Sequence, residues 1–210
     1  MTTRPLDGRL ALACKGDACA LSQVVAEHRP KLVRMIELRM DAAQRRRMGP
    51  EDVVQDALTE ATRRFPEWCA QDRYPFHVWI RLLTAQAFVN AFRRHHNVQK
   101  RDVEREREFA PRASVSAERV ADWIAATGTT PSQAVRREEV RQRVLAALAG
   151  LEELDREIIA LRHFEQLSND DAALELGIEP AAASKRFARA LQRLRPVLRG
   201  LAPGDSGPQA

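Results

Sequence analysis

No run of residues in this chain alternates apolar and polar side chains as a half-buried β-strand would, and this absence restricts the fold more than any other feature. Alanine, leucine, arginine and glutamate dominate instead, and these residues favour helices, whereas glycine is sparse. Apolar side chains recur at helical spacing, as in the stripe formed by Val54, Ala57, Leu58, Ala61 and Phe65. The sequence therefore predicts an all-α protein.

The helical segments fall into two groups, which predicts two small helical domains joined by a flexible linker. The first domain is expected over residues 18–101 and the second over residues 132–201. Between them, alternating charges give way to Ala, Ser, Thr and Gly, with a partly helical stretch expected around Val120 to Ile124. The other assignments are an N-terminal lead (1–17), the linker (102–131) and a disordered, Pro/Gly-rich tail (202–210).

Proline positions set the finer boundaries of the first domain. Pro30 suits the first turn of a helix or a kink between two helical pieces, and Pro50 suits a helix start. The basic segment 41–49 reads as a turn, and residues 66–75 read as a loop. The expected helices of this domain cover residues 18–27, 30–40, 51–65 and 76–95.

Charge is distributed unevenly along a chain whose net charge is +5 and whose pI is near 9.6. Residues 76–101 contain no Asp or Glu, and neither do residues 180–203. Residues 51–67, in contrast, carry five acids against two arginines. Two basic surfaces and one acidic surface predict nucleic acid at two sites and a protein partner at a third.

The strongest local motif lies in the second domain and has the pattern of a helix-turn-helix. Ser168 caps a short helix, Gly177 ends it, and Pro180 begins the next helix. One face of that second helix is apolar, and the opposite face is small and cationic, which suits a major groove. The expected DNA contacts are Ala181, Ala182, Ser184, Lys185, Arg186, Arg189 and Arg193. A plain three-helix bundle with a solvated basic face is the alternative.

The sequence offers no chemistry for catalysis, a metal or a cofactor. Cys14, Cys19 and Cys69 lack the spacing of a zinc site, so we expect buried or idle thiols in a reducing cytosol. There is no Gly-rich phosphate loop, nucleophile elbow or plausible triad, so no catalytic residue is assigned. Since no signal peptide or membrane span is apparent, we expect a cytoplasmic protein without membrane insertion.

Five segments agree in order and spacing with one known family: Glu51–Ala57, Phe76–Ile80, Phe92–His95, Leu161–Phe164 and Ala188–Arg195. Together they resemble the bacterial RNA polymerase sigma factors, specifically the extracytoplasmic-function subgroup. The resemblance covers roughly residues 18–200, with the linker unmatched. It implies a factor that binds core RNA polymerase, directs it to promoter DNA and assists promoter opening, and that is often sequestered by an anti-sigma protein.

The same resemblance implies two sites in the first domain. One face of the acidic helix would dock on the polymerase clamp through Asp52, Gln55, Asp56, Thr59, Glu60 and Arg63. The following helix would meet the proximal promoter element and its melted strand through Asn90, Arg93, Arg94, His95, His96, Asn97 and Lys100, with Arg81 on the same surface. Trp79 and Phe88 are expected in the core, because they lie at helical spacing among other apolar residues.

Three other classes compete with a sigma factor. A helix-turn-helix regulator with a ligand-sensing first domain would not bind core polymerase as a subunit. An enzyme is disfavoured by the missing motifs. A structural helical adaptor would leave both acid-free cationic helices without a purpose.

Overall fold

In a computed structural model of the chain, every described regular element is helical, as the sequence predicts. The chain divides into two compact units, residues 1–113 and 114–210, and each is considered by itself. The structure describes residues 8–71, 74–96, 114–127 and 134–199. No described helix is long and apolar enough to cross a membrane.

The first unit is a helical bundle in which α4 packs against α2 and α5. Its core combines aliphatic side chains such as Met35, Ile36 and Val54 with aromatic rings, and Phe88 is buried, as predicted. Trp79 is half-buried and packs against the same core. The helices are α1 (Gly8–Cys14), α2 (Ala18–Arg39), α3 (Ala42–Arg47), α4 (Pro50–Gln71) and α5 (Phe76–His96).

Two helices of the first unit are longer than proline spacing suggested. α2 continues through Pro30, and α4 continues through Pro66 instead of ending at a loop. In α4, contacts of Trp68, which follows the proline, explain why the helix continues. Trp68 is buried against Phe65, and its indole Nε1 donates to the carbonyl oxygen of Tyr74 at 2.9 Å. Packing of that ring keeps the chain helical past Pro66.

The N-terminal lead and the cysteines also differ from expectation. Residues 8–14 form α1, which packs on α2, and Ala13 is buried. Cys14 forms a disulfide with Cys69 near the end of α4, so the prediction of idle thiols is wrong for these two residues. A separation of 55 residues hid the pairing, because only the tertiary fold brings the two Cα atoms to 5.8 Å. Cys19 is free and exposed.

The second unit is built around α10, which packs on α7, α8 and α9. Its core contains Ile158, Leu161, Leu176 and Leu194, all almost fully buried. The helices are α6 (Ala117–Thr127), α7 (Ala134–Ala149), α8 (Glu153–Ile159, continued by a π-helical turn over Ala160–Phe164), α9 (Asn169–Leu176) and α10 (Pro180–Arg199).

Helix α6 lies in the stretch that the sequence assigned to the linker. It packs against α7, and Val120, Ala121 and Ala125 are fully buried. Only a partly helical stretch was expected here, because small residues and flanking Gly and Thr resemble a linker in composition. The structure thus makes α6 a part of the second unit, while residues 102–113 of the expected linker lie outside the described residues.

The turn between α9 and α10 follows the predicted helix-turn-helix pattern. The backbone N–H of Asp171 donates to Ser168 Oγ at 3.1 Å, which caps α9. Gly177 takes a left-handed conformation with φ of 64°, and the N–H of Ile178 donates to the Ala173 carbonyl oxygen at 3.0 Å. This is a Schellman arrangement, which satisfies the end of α9 and turns the chain into α10.

Candidate nucleic-acid interface

The face of α10 that the sequence assigned to DNA is turned to solvent at its start. Ala181, Lys185 and Arg189 are exposed, and Ala182 is half-buried. The opposite face buries Ala183, Ala190 and Leu194 against the rest of the unit. Within the part of the chain that the structure describes, Lys185 has no ion-pair partner. The exposed cationic start of α10 has the composition that a major groove accepts.

Ser184, also predicted to contact DNA, is engaged inside the unit. Its hydroxyl donates to Asn169 Oδ1 at 3.0 Å, and Asn169 Nδ2 donates to the Pro180 carbonyl oxygen at 2.9 Å. These two bonds tie the beginning of α9 to the beginning of α10. Sequence reasoning missed Asn169, although its position directly after the cap Ser168 was available as a signal.

Arg186 is held by two acids of the second unit. Its Nη1 donates to Asp155 Oδ1 at 2.7 Å and to Glu152 Oε2 at 2.9 Å, and the Asp155 side chain is only 3% exposed. Arg189 Nε lies 3.8 Å from the second Asp155 oxygen. Hydrogen bonding to Arg186 lowers the pKa of Glu152, and the two acids raise the pKa of Arg186. Arg186 therefore stabilises the packing of α10 on α8, in addition to any contact with DNA.

Arg193, the last residue of the predicted set, also has a partner within the unit. Its Nη1 donates to the Gly150 carbonyl oxygen, near the end of α7. One residue outside the set joins the same surface, since the Arg162 guanidinium lies 5.3 Å from the centre of the Phe187 ring. Of the predicted cations on α10, Lys185 and Arg189 are thus more available to DNA than Arg186 and Arg193.

In the first unit, the C-terminal half of α5 carries the predicted proximal set. Asn90, Arg93 and Arg94 are exposed, and Asn90 Oδ1 accepts from Gln86 Nε2 at 3.1 Å. His95 and His96 form the end of the helix. Asn97 and Lys100 lie outside the described residues.

Arg81 does not belong to this surface, which corrects the sequence prediction. It is 6% exposed and shares a face of α5 with Thr84 and Phe88, both buried. The spacing of three and seven residues places all three on one side of the helix. The sequence prediction considered the charge of Arg81 and not its position on the buried side of the helix.

The face of α4 that the sequence assigned to polymerase is exposed along its length, opposite the buried stripe. Arg63 donates to both Glu60 oxygens, at 2.6 and 2.9 Å, and this hydrogen bonding lowers the pKa of Glu60. Thr59 Oγ donates to the Gln55 carbonyl oxygen at 2.9 Å. Gln55 Oε1 accepts from Arg29 on α2 at 2.9 Å, which adds a residue that the sequence did not suggest. The exposed predicted residues are Asp52, Gln55, Asp56, Thr59 and Arg63, with Glu60 half-buried.

Predicted polymerase-binding residues of α4 and predicted DNA-binding residues of α5 line the same groove. Arg94 Nη2 lies 3.1 Å from Asp56 Oδ2, and both side chains are largely exposed. The groove between the two helices is lined on α4 by Asp56, Glu60 and Arg64, and on α5 by Leu83, Gln86, Ala87, Asn90, Arg93 and Arg94. Residues assigned to a protein partner and residues assigned to nucleic acid are therefore neighbours on adjacent helices.

Known proteins similar to this chain match both its units. The family described as Sigma-70, region 4 matches residues 141–194, which span α7 to α10. The ECF RNA polymerase sigma factor SigD of Mycobacterium tuberculosis (strain H37Rv) is 29% identical over 200 residues, covering 95% of this chain and 86% of SigD. SigD of Mycobacterium bovis matches equally. CnrH, solved in complex with the cytosolic domain of CnrY, superposes with a TM-score of 0.54 at 22% identity, covering 91% of this chain and 96% of CnrH.

No group of three or more His, Cys, Asp or Glu side chains in the described ranges is placed to hold a metal ion. The exposed faces of α4, α5 and α10 carry guanidinium, ammonium, carboxylate and amide groups, which form ion pairs and hydrogen bonds. Groups of these kinds are the ones that proteins use at interfaces with other proteins and with nucleic acids.

Proposed function

We propose that the chain is a sigma factor of the extracytoplasmic-function subgroup, which binds core RNA polymerase, directs it to specific promoters and assists their opening. The first unit binds the polymerase and the proximal promoter element, and the second unit binds the distal element. An anti-sigma protein is a further expected partner. Promoter binding and opening take place in the cytoplasm. No residue of the chain is assigned a catalytic role, because the free energy of binding the unpaired strand drives promoter opening.

In the first unit, the exposed face of α4 docks on the polymerase. Asp52, Gln55 and Asp56 present carboxylate and amide oxygens that match basic and amide groups across an interface. Arg29 orients the Gln55 amide by its 2.9 Å bond. Asn90, Arg93 and Arg94, along the adjoining end of α5, take the promoter segment that melts.

In the second unit, α10 enters the major groove of duplex DNA. Ala181 and Ala182 let the helix approach closely, and Lys185 and Arg189 reach base edges or phosphates. Since the alanines offer no hydrogen bonds to bases, part of the specificity comes from DNA shape. Arg193, bonded to Gly150, and Arg186, bonded to Asp155, offer their remaining donors to phosphates.

One observation supports this function above the others. An exposed acidic and amide face on α4 adjoins an exposed cationic end on α5, with Arg94 and Asp56 at the boundary 3.1 Å apart. A regulator with a ligand-sensing first domain has no need of such a pair of surfaces. A chain that bridges polymerase and DNA needs both.

Separation-of-function variants test the proposal. Lys185→Ala with Arg189→Ala is expected to weaken promoter binding while leaving core polymerase binding unchanged. Gln55→Ala with Asp56→Ala is expected to do the reverse. Arg186 is left intact in both because of its bonds to Asp155 and Glu152. Core affinity is measured by fluorescence titration and promoter affinity by filter binding of the holoenzyme; equal loss of both activities in each variant would contradict the division of labour.

A further inference from the structure

Helix α3 carries three consecutive arginines, Arg45, Arg46 and Arg47, and all three are exposed. The short helix is well fixed at its start. Asp41 Oδ1 accepts from the backbone N–H of Gln44 at 2.7 Å, and Gln44 Oε1 accepts from the N–H of Asp41 at 2.8 Å, which completes a capping box. The arginines are therefore presented from an ordered element.

The arginines of α3 differ in their own contacts. Arg45 Nη2 donates to the carbonyl oxygens of Glu37 and Met40, at 3.4 and 3.3 Å, and so fastens α3 to the end of α2. Arg46 and Arg47 have neither an ion pair nor a hydrogen-bond partner among the residues that the structure describes. Two guanidinium groups with five donors each thus face solvent side by side.

Helix α3 lies at the same end of the first unit as the C-terminal end of α5. The Arg94–Asp56 contact joins that end of α5 to the second turn of α4. From Asp56 back to Pro50, where α4 begins, is about 9 Å along the helix. α3 ends only three residues before Pro50. Arg46 and Arg47 therefore lie at the same end of the first unit as Arg93 and Arg94.

We propose that α3 is a DNA-backbone contact of the first unit, in which Arg46 and Arg47 bind phosphates of the promoter beside the segment that α5 takes. This inference rests on the proposed function. Arginine suits the role, since its planar guanidinium offers two parallel donors to phosphate oxygens and keeps its charge at every relevant pH. The phosphates belong either to the duplex flanking the melted segment or to the unpaired strand.

The position of α3 favours DNA over an acidic surface of the polymerase. The C-terminal end of α5, at the same end of the unit, comes from a stretch of sequence without acids, whereas the proposed polymerase-binding face on α4 is acidic. Glu51 and Asp52 follow α3 closely, but they occupy the first turn of α4, where the helix dipole favours acids. A polyanion that runs past the end of α5 would meet α3 next.

The test compares Arg46→Ala/Arg47→Ala with a control pair that removes the same charge from exposed positions on other helices of the unit or beside them, Lys15→Ala/Lys31→Ala. The Cys14–Cys69 disulfide places Lys15 near the end of α4, far from α3. Each protein is bound to core polymerase and titrated, at several salt concentrations, onto a promoter fragment obtained by run-off selection. Duplex and pre-melted bubble forms of the fragment are used. Core affinity and circular dichroism are measured for every variant.

The Arg46→Ala/Arg47→Ala holoenzyme is expected to bind promoter about tenfold more weakly per arginine at 0.1 M salt, and the slope of log K against log salt should shrink by roughly 1.4 to 1.8. Loss on both templates assigns the phosphates to the duplex, and loss on the bubble alone assigns them to the unpaired strand. If the parent holoenzyme binds the promoter, then an unchanged promoter affinity in the variant, or a loss equal to that of the control pair, overturns the inference but not the proposed function. Reduced core affinity overturns it in favour of a polymerase contact. If the parent holoenzyme binds no promoter, the proposed function itself fails.

Discussion

Replacing Arg186 with alanine is expected to destabilise the second unit, although the residue lies on α10, the helix proposed to bind DNA. Among the described residues, the change leaves the Asp155 carboxylate, 3% exposed, with only the 3.8 Å contact of Arg189. A buried charge that loses its partner costs about 3–5 kcal/mol. Because Arg189 remains nearby and Arg186 is itself 24% exposed, we expect a smaller loss, about 2–3 kcal/mol.

Hydrogen–deuterium exchange with mass spectrometry measures this loss in the intact chain, since peptides from each unit report separately. The amides of α8 and α10 should exchange roughly 30- to 150-fold faster in Arg186→Ala, which corresponds to about 2–3 kcal/mol. Exchange in α4 and α5 should not change. Lys185→Ala, which removes a neighbouring charge that has no ion-pair partner in the described ranges, is the matched control and should leave α8 as protected as in the parent.

A double variant isolates the ion pair. Arg186→Ala with Asp155→Ala removes the buried carboxylate together with its partner, so it should be no less stable than Arg186→Ala alone. If Arg186→Ala changes the protection of α8 and α10 by less than about 0.5 kcal/mol, the reasoning is refuted, and Arg186 is a surface residue like Lys185.

Three further outcomes are expected. Gln166 has φ of 59°, so Gln166→Gly should raise the unfolding free energy of the second unit by about 0.5–1 kcal/mol in urea titrations; a decrease would show that its bond to the His163 carbonyl matters more. Burial lowers the pKa of His28, so unfolded chains bind the proton more readily, and the first unit should lose stability as pH falls below 6.5. Thermal melts of His28→Gln between pH 7 and 5.5 should lack that part of the slope, and an unchanged slope would exclude His28 as its source. Reduction of Cys14–Cys69 should destabilise the first unit by about 2–4 kcal/mol, which exchange in α1 and α4 with and without dithiothreitol would detect; Cys14→Ser/Cys69→Ser should show no effect of the reductant.

The helical architecture was predictable from the sequence, because helix caps, turn residues and apolar spacing determine the backbone only of residues close to them in the chain. The cap at Ser168, the left-handed Gly177 and the start at Pro180 each determine the backbone of their immediate neighbours. The buried stripe of α4 was predictable for the same reason, since Val54, Ala57 and Ala61 depend only on helical spacing.

Features that depend on distant residues were not predictable from these signals. The Cys14–Cys69 disulfide and the Arg186–Asp155 ion pair join residues 55 and 31 positions apart. Helix α6 has the composition of a linker, and only its packing against α7 makes it part of a core. Charge alone placed Arg81 on a surface, whereas the burial of its helical face decides its position.

The central claim is that this chain gives RNA polymerase a promoter preference that the core enzyme lacks. Run-off transcription with bacterial core polymerase and genomic DNA fragments measures it directly. We expect transcripts that begin at defined positions and require the added chain. Transcripts identical to those of core polymerase alone, with no complex formed between the two proteins, would contradict it.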